Sequence, residues 1–190
     1  ALPHMNMALR NVDTLLQLTT NLINFERIDV YSSTLYVSEY ELNSYMNNVC
    51  ATFRKYAEMK HIRFVYESNF DYLNVWFDSD KMGSILKNIL SNALKYTKKG
   101  KISIYMSKAR SHTLVIEDTG IGIRQEDLPR VFEKGFTGYN GREEGRSTGI
   151  GLYLSGKIMK KLDHGIRIES ELGKGTRVFL ELGRKKMDLY

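Results

Sequence analysis

Asn88 and Asn92 stand four residues apart in a stretch of helical periodicity, which puts both side chains on one helix face. Their carboxamide oxygens can converge on a hard cation, which takes oxygen ligands. Farther along, Asp118 leaves a run of strand-forming residues and enters Thr119-Gly120-Ile121-Gly122. A carboxylate so placed can accept a hydrogen bond from a ligand amine, and the glycines let backbone approach a ligand closely. A third group, Ser147-Thr148-Gly149-Ile150-Gly151-Leu152, opens a helical pattern. Unpaired amides and the positive end of the helix dipole at such a start can hold phosphate. Each group alone also has a plain structural reading: solvated asparagines, an Asp-Gly turn, a flexible connection.

The elements that must position these groups are legible as patterns. Met5, Leu9, Val12, Leu16, Thr19 and Ile23 alternate in steps of four and three, and Leu15, Leu18, Leu22 and Phe25 form a second seam, so a helix of a bundle is expected there. Ser38-Glu39-Tyr40-Glu41 has the form of a capping box and predicts a helix start, with Leu42, Met46, Val49, Phe53 and Tyr56 on the apolar face. Ile62 to Tyr66 reads as a strand with Leu73 to Phe77 as its neighbour. Lys81 to Tyr96 reads as a helix carrying both asparagines, and Lys101 to Met106 with Thr113 to Ile116 as a hairpin. A last helix from Gly151 to Leu162 precedes strands Ile166 to Glu169 and Arg177 to Glu181. This order predicts an α+β two-layer sandwich: a mixed, largely antiparallel sheet with helices on one face, preceded by a long helix.

Composition narrows the class. A chain of 190 residues has room for one core and an appendage, and 42% hydrophobic content with only 2 prolines favours a folded chain over a disordered one. Lysine and arginine exceed aspartate and glutamate by 28 to 22, an excess too modest to point to nucleic acid, which is not expected as a partner. The lone Cys50 falls in a helical pattern and suits packing in a reducing compartment. No apolar run approaches the roughly 18 residues of a membrane span.

Taken in order and spacing, the three groups resemble the N, G1 and G2 boxes of the GHKL ATPase superfamily, specifically of sensor histidine kinases. The first resemblance lies in Asn88-Ile89-Leu90-Ser91-Asn92-Ala93-Leu94-Lys95-Tyr96-Thr97, led by Phe77-Asp78-Ser79-Asp80. Val131-Phe132-Glu133-Lys134 resembles the F box, and Ser170-Glu171-Leu172-Gly173-Lys174-Gly175-Thr176 resembles the closing turn. Asn21-Leu22-Ile23-Asn24-Phe25-Glu26-Arg27-Ile28 is similar to the second helix of a dimerisation domain, so residues 1–30 are expected to be part of that helical domain and 31–190 the ATP-binding catalytic domain.

The resemblance implies ATP and Mg²⁺ as cofactors. Asn88 and Asn92 would hold Mg²⁺ against the triphosphate, Asn88 being the catalytic position, and Lys95 and Tyr96 would contact phosphate and nucleotide. Asp118 would recognise adenine in a pocket shaped by Gly120 and Gly122 and closed by Thr176. Gly149 and Gly151, with Ile150 and Leu152, would bend around the phosphates. Glu133 to Thr148 would be the ATP lid, with Lys134, Arg142 and Arg146 able to meet phosphate charge. Further expectations are a homodimer in the intact kinase, a response-regulator receiver domain as partner, and a place in the cytoplasmic part of a membrane-anchored sensor.

Two departures from the family pattern are visible. Ser147 takes the first glycine position of the usual Gly-x-Gly-x-Gly form, and no His-Glu-x-x-Thr-Pro phosphoacceptor motif occurs, His4 being followed by Met5-Asn6-Met7. The acceptor histidine is therefore expected on a separate helix, and His61, His112 and His164 are expected to be structural. Two other readings stay open: a GHKL ATPase that drives clamping by hydrolysis, and a dimerisation or docking module without a working nucleotide site. Clamping ATPases place Glu where Asn88 stands, and an amide cannot serve as a general base toward water.

Overall fold

The computed structural model describes residues 34–68, 72–110, 112–138 and 148–183. The helix expected over 5–25, the segment 1–30 assigned to a helical domain, and the lid positions Arg142, Arg146 and Ser147 lie outside the described residues.

Among the described residues seven strands and three helices follow one another as β1 (Val37–Glu41), α1 (Leu42–Met59), β2 (Arg63–Glu67), β3 (Asn74–Asp78), α2 (Ser79–Tyr96), β4 (Lys101–Met106), β5 (Thr113–Asp118), α3 (Gly151–Lys161), β6 (Gly165–Glu171) and β7 (Gly175–Glu181), with a 3-10 turn at Leu128–Arg130. Five strands form a mixed sheet in the order β2-β4-β5-β7-β6, parallel only between β2 and β4. Strand alternation puts Ile104, Met106, Leu114, Ile116, Val178 and Leu180 on one face. They share one core with Leu42, Met46 and Cys50 of α1, Ile85, Leu86, Ile89 and Leu90 of α2, and Ile158 and Met159 of α3. Apolar residues three and four apart on α2 give that helix its buried stripe, and the polar residues between them stay near the surface. The expected α+β class and mixed sheet are observed.

Two local expectations are corrected. Leu73 to Phe77 does not neighbour the strand at Ile62 to Tyr66: β3 pairs antiparallel with β1, Val37 opposite Asp78 and Glu41 opposite Asn74, in a separate two-stranded sheet. Phe77 stacks on Tyr40 at 4.7 Å between ring centroids and meets Tyr45 edge-on at 4.9 Å, aromatic contacts that hold β3 against β1 and α1. β2 instead runs parallel to β4, which sets Phe64 and Tyr66 in register with Ile102 and Ile104.

The second correction concerns the capping-box residues. Ser38 to Glu41 belong to β1, and the helix begins after them. Glu41 itself is the N-cap of α1, its carboxylate accepting from the amides of Asn43 at 2.9 Å and Ser44 at 2.7 Å. Asp78 caps α2 in the same way and also accepts from the Tyr36 amide at 2.9 Å, tying β1 to the start of the asparagine-bearing helix.

Candidate nucleotide site

Asp118 ends β5 in register with Ile102 on one side and Thr176 on the other, so its side chain continues the row that faces the helices. The chain then turns tightly. The Gly120 amide donates to Asp118 Oδ1 at 2.8 Å, and the Ile121 amide donates to the Tyr96 carbonyl at 3.1 Å, which fastens the loop to the last turn of α2. A β-carbon on Gly120 would lie 2.5 Å from that same carbonyl, so only glycine fits between Tyr96 and Asp118. Gly122 has φ +70° and lies against the Glu171 carbonyl at the end of β6. Burial pushes the Asp118 carboxyl up to about 6, the amides of Gly120 and Thr176 pulling it partly back and the neighbouring Glu117 adding to the rise.

Ser170, which opens the closing-turn motif without an expected role of its own there, braces the far wall. Its hydroxyl donates to the Gly175 carbonyl at 2.7 Å and accepts from the Ile123 amide at 2.9 Å, and it lies 2.9 Å from Thr176 Oγ1. With the Ser170 proton committed to Gly175, Thr176 is the donor of that pair, and its own oxygen keeps lone pairs to offer beside Asp118.

The second half of the site is the start of α3. Its N-cap, Ile150, supplies no side-chain cap, and the first intrahelical bond is Leu154 N–H to Ile150 O at 2.9 Å. The amides of Gly151, Leu152 and Tyr153 therefore precede the helix's own ladder, at its positive end. Asn88 lies directly against this end. Its Nδ2 donates to Ser155 Oγ at 3.1 Å, and Ser155 Oγ donates to the Gly151 carbonyl at 3.0 Å. A β-carbon on Gly151 would collide with Asn88 Oδ1, so glycine there is what lets the two helices meet. The Gly149 carbonyl accepts from the Gly135 amide at 3.0 Å, which brings Lys134 beside the same loop. Ile150 and Leu152 are half-buried around it.

One helix spans both halves. Asn92 is half-buried one turn beyond Asn88 on the same face, and Lys95 holds its ammonium 4.9 Å from the Tyr96 ring centre at the Asp118 end. Asn88 and Tyr96 are eight residues apart, about 12 Å along the axis. Thr97 Oγ1, next in the chain, is buried without a hydrogen-bond partner. Among the described residues no group of three or more His, Cys, Asp or Glu side chains could hold a metal ion. His164 is buried, its Nδ1 accepting from the Gly183 amide at 3.0 Å, which fits the structural role expected of it.

Ser155 lies outside the sequence motifs, though a signal existed. It stands four residues after Gly151 on one helix, hence on the face that Gly151 opens toward α2.

The fold is shared with known proteins. The family model described as histidine kinase-, DNA gyrase B-, and HSP90-like ATPase matches residues 77–186. The chain is 33% identical over 152 residues to the sensor protein BceS of Halalkalibacterium halodurans, covering 80% of this chain and 45% of that protein. It is 38% identical over 128 residues to the sensor protein kinase GraS of Staphylococcus aureus, covering 67% of this chain and 37% of that protein. The chain thus spans less than half the length of these relatives. Among solved structures, full-length ShkA in complex with AMPPNP superimposes with a TM-score of 0.75 at 20% identity, over 96% of this chain and 39% of that one. The histidine kinase AdeS of Acinetobacter baumannii gives 0.67 at 21% identity, over 92% and 81%. The family match covers α2, both glycine loops, α3 and the closing hairpin, every element that builds the site, and the chain belongs to the histidine kinase-, DNA gyrase B-, and HSP90-like ATPase family as a histidine-kinase catalytic domain.

Proposed function

We propose that this domain binds ATP with Mg²⁺ and, in the intact protein, transfers the γ-phosphoryl group to a histidine on a separate helix, for relay to an aspartate of a response-regulator receiver domain. One observation carries the proposal: the Asp118 loop is fastened to Tyr96 and the uncapped start of α3 lies against Asn88, two positions about 12 Å apart along one helix, the order of length of a nucleoside triphosphate laid from base to phosphate. The half-buried Asp118 carboxylate and Thr176 Oγ1 would accept from the adenine amine. The amides that open α3, with Lys134 and Lys95, would meet the phosphates, and Ile150, Leu152, Gly120, Gly122 and Gly149 would line the path between.

The donor set suits magnesium. Asn88 and Asn92 stand on one helix face with neutral amide oxygens to offer, so a hard cation there would complete its shell with phosphate oxygens and water. Magnesium, when bound, supplies charge neutralisation on the phosphates. The protein's own part is positioning and dispersal of charge, which is most of what phosphoryl transfer asks of an enzyme. Asn88 offers an amide rather than a carboxylate, so no side chain at that position activates water, and transfer to a supplied acceptor is favoured over hydrolysis.

Residues 31–190 would form this catalytic unit and 1–30 part of a dimerising helical domain, in the cytoplasmic portion of a membrane-anchored sensor that acts as a homodimer. No described helix is long and apolar enough to cross a membrane. Calorimetric titration of ATP and Mg²⁺ into the protein and into Asp118→Asn tests the reading. Binding that vanishes in the variant supports it; absence of binding to the folded, unsubstituted protein overturns it and favours a docking module.

A further inference from the structure

We propose that Ser155 is a positioning residue: it dictates which way the Asn88 carboxamide points, and so keeps the Asn88 oxygen turned toward the start of α3. The inference rests on the proposed function only in assigning that oxygen to the cation; the orientation itself follows from the hydrogen bonds.

A carboxamide has two nearly isosteric ends, one donating and one accepting, and a neighbour with both capacities would tolerate either orientation. Ser155 does not have both to offer. Its single hydroxyl proton is spent on the Gly151 carbonyl at 3.0 Å, one helical turn back. While that bond is made it shows Asn88 only lone pairs, and the Asn88 end facing it, 3.1 Å away, is the NH₂. A flipped Asn88 would either set two acceptors against each other or draw the hydroxyl proton away from the Gly151 carbonyl, breaking the bond that ties Ser155 to the start of α3. Ser155 is buried at 2% exposure, so no water stands by to relieve that clash.

With its nitrogen held by Ser155, Asn88 sends Oδ1 alongside Gly151, at the mouth of the unpaired α3 amides. The arrangement also makes the position of α3 and the orientation of Asn88 one event, because the same hydroxyl bonds both helices. Seating α3 on α2 is what turns the oxygen toward the start of α3. A serine at this place is thus neither a packing filler nor a ligand contact, but a polarity key for the residue that makes the contact.

The test uses the whole protein with three substitutions: Ser155→Ala, Ser155→Thr and Asn88→Ala. ATP is titrated calorimetrically with Mg²⁺ and again with a chelator, and the Asn88 side-chain NH₂ resonances are recorded in nucleotide-free protein. Ser155→Ala should lose about tenfold of the affinity that Mg²⁺ adds, the low end for removing a residue that orients a metal ligand. Affinity for metal-free ATP should stay as it was. Asn88 NH₂ signals should shift and exchange faster in Ser155→Ala, and Ser155→Thr, which keeps the hydroxyl, should restore both. In the Asn88→Ala background Ser155→Ala should change the Mg²⁺ gain no further.

An undiminished Mg²⁺ gain in Ser155→Ala overturns the proposal, as does an equal loss with and without metal, which would mark a merely structural serine. Unshifted NH₂ resonances overturn it as well. If the unsubstituted protein binds no nucleotide, the proposed function fails, while the resonances still decide the orientation.

Discussion

Asn88 and Gly151 touch across the α2–α3 interface so closely that a β-carbon on the glycine would collide with the asparagine oxygen. That contact sets the distance between the two helices at the very place where α3 offers its unpaired amides. Gly151→Ala adds the missing carbon at the first position of α3, where alanine is favoured by less than the ~1 kcal/mol of a helix interior. The helix gain and the collision oppose each other in stability, whereas only the collision acts on the site. We predict a melting temperature moved by a few degrees at most and ATP affinity lowered at least about tenfold, a shift equivalent to 1.4 kcal/mol, measured by thermal unfolding and calorimetry on the same samples.

Asp118 should cost the fold stability at neutral pH. Its folded value, about 6, lies above the ordinary 3.8, so the folded state prefers the protonated form. Stability from this group is therefore full below about 3.8 and declines as pH rises through 6, by at most about 3 kcal/mol. Asp118→Asn removes the charge and can still accept from the Gly120 amide. Urea unfolding at pH 7.5 should show the variant more stable than the parent, with the difference closing by pH 4; a variant less stable at pH 7.5 would refute the account.

The same carboxylate must be ionised to accept fully from an adenine amine. ATP affinity should fall as pH drops through 6 more steeply than that of a ligand whose base lacks the exocyclic amine, the protonation of the triphosphate being common to both. Titrations with ATP and with its purine analogue between pH 5 and 8 measure both.

His164 acts in the opposite direction. Burial lowers its value from the ordinary 6.5, while the backbone at Asp163 and Trp76 and the Asp163 charge resist the fall. Its neutral Nδ1 accepts from the Gly183 amide, so a depressed value means stability present above 6.5 and lost as the pH falls below it. Replacing it by Gln should flatten the pH dependence of unfolding between pH 5 and 7, and unfolding curves of the two proteins across that range give the comparison.

Ser170→Ala leaves the Ile123 amide without its acceptor and the Gly175 carbonyl without its donor. A loss of about 1–3 kcal/mol in unfolding free energy is expected for unpaired groups of this kind. Adenine-dependent binding should weaken with it, because Thr176 loses the partner that fixes its hydroxyl beside Asp118.

The sequence alone determined the parts of this protein that rest on local order. The apolar stripe of α2, the hairpin of β4 and β5, and the three motifs are written in spacing, and spacing carries through helix and strand geometry without help from distant residues. Strand partners were a different matter. β1 hides in Ser38 to Glu41, whose side chains suit a helix cap equally well, and β3 chose it over β2 through the stacking of Tyr40 on Phe77, 37 positions away. Ser155 and Ser170 are ordinary serines until α3 rests on α2 and β7 on β5. Their hydroxyl protons are assigned by carbonyls near them in sequence, but the groups they then orient, Asn88 and Thr176 beside Asp118, arrive only with the tertiary fold. Hydrophobic periodicity is a property of the chain; the direction of a buried hydrogen bond belongs to the packed structure, where an unpaired group is costly enough to select one orientation.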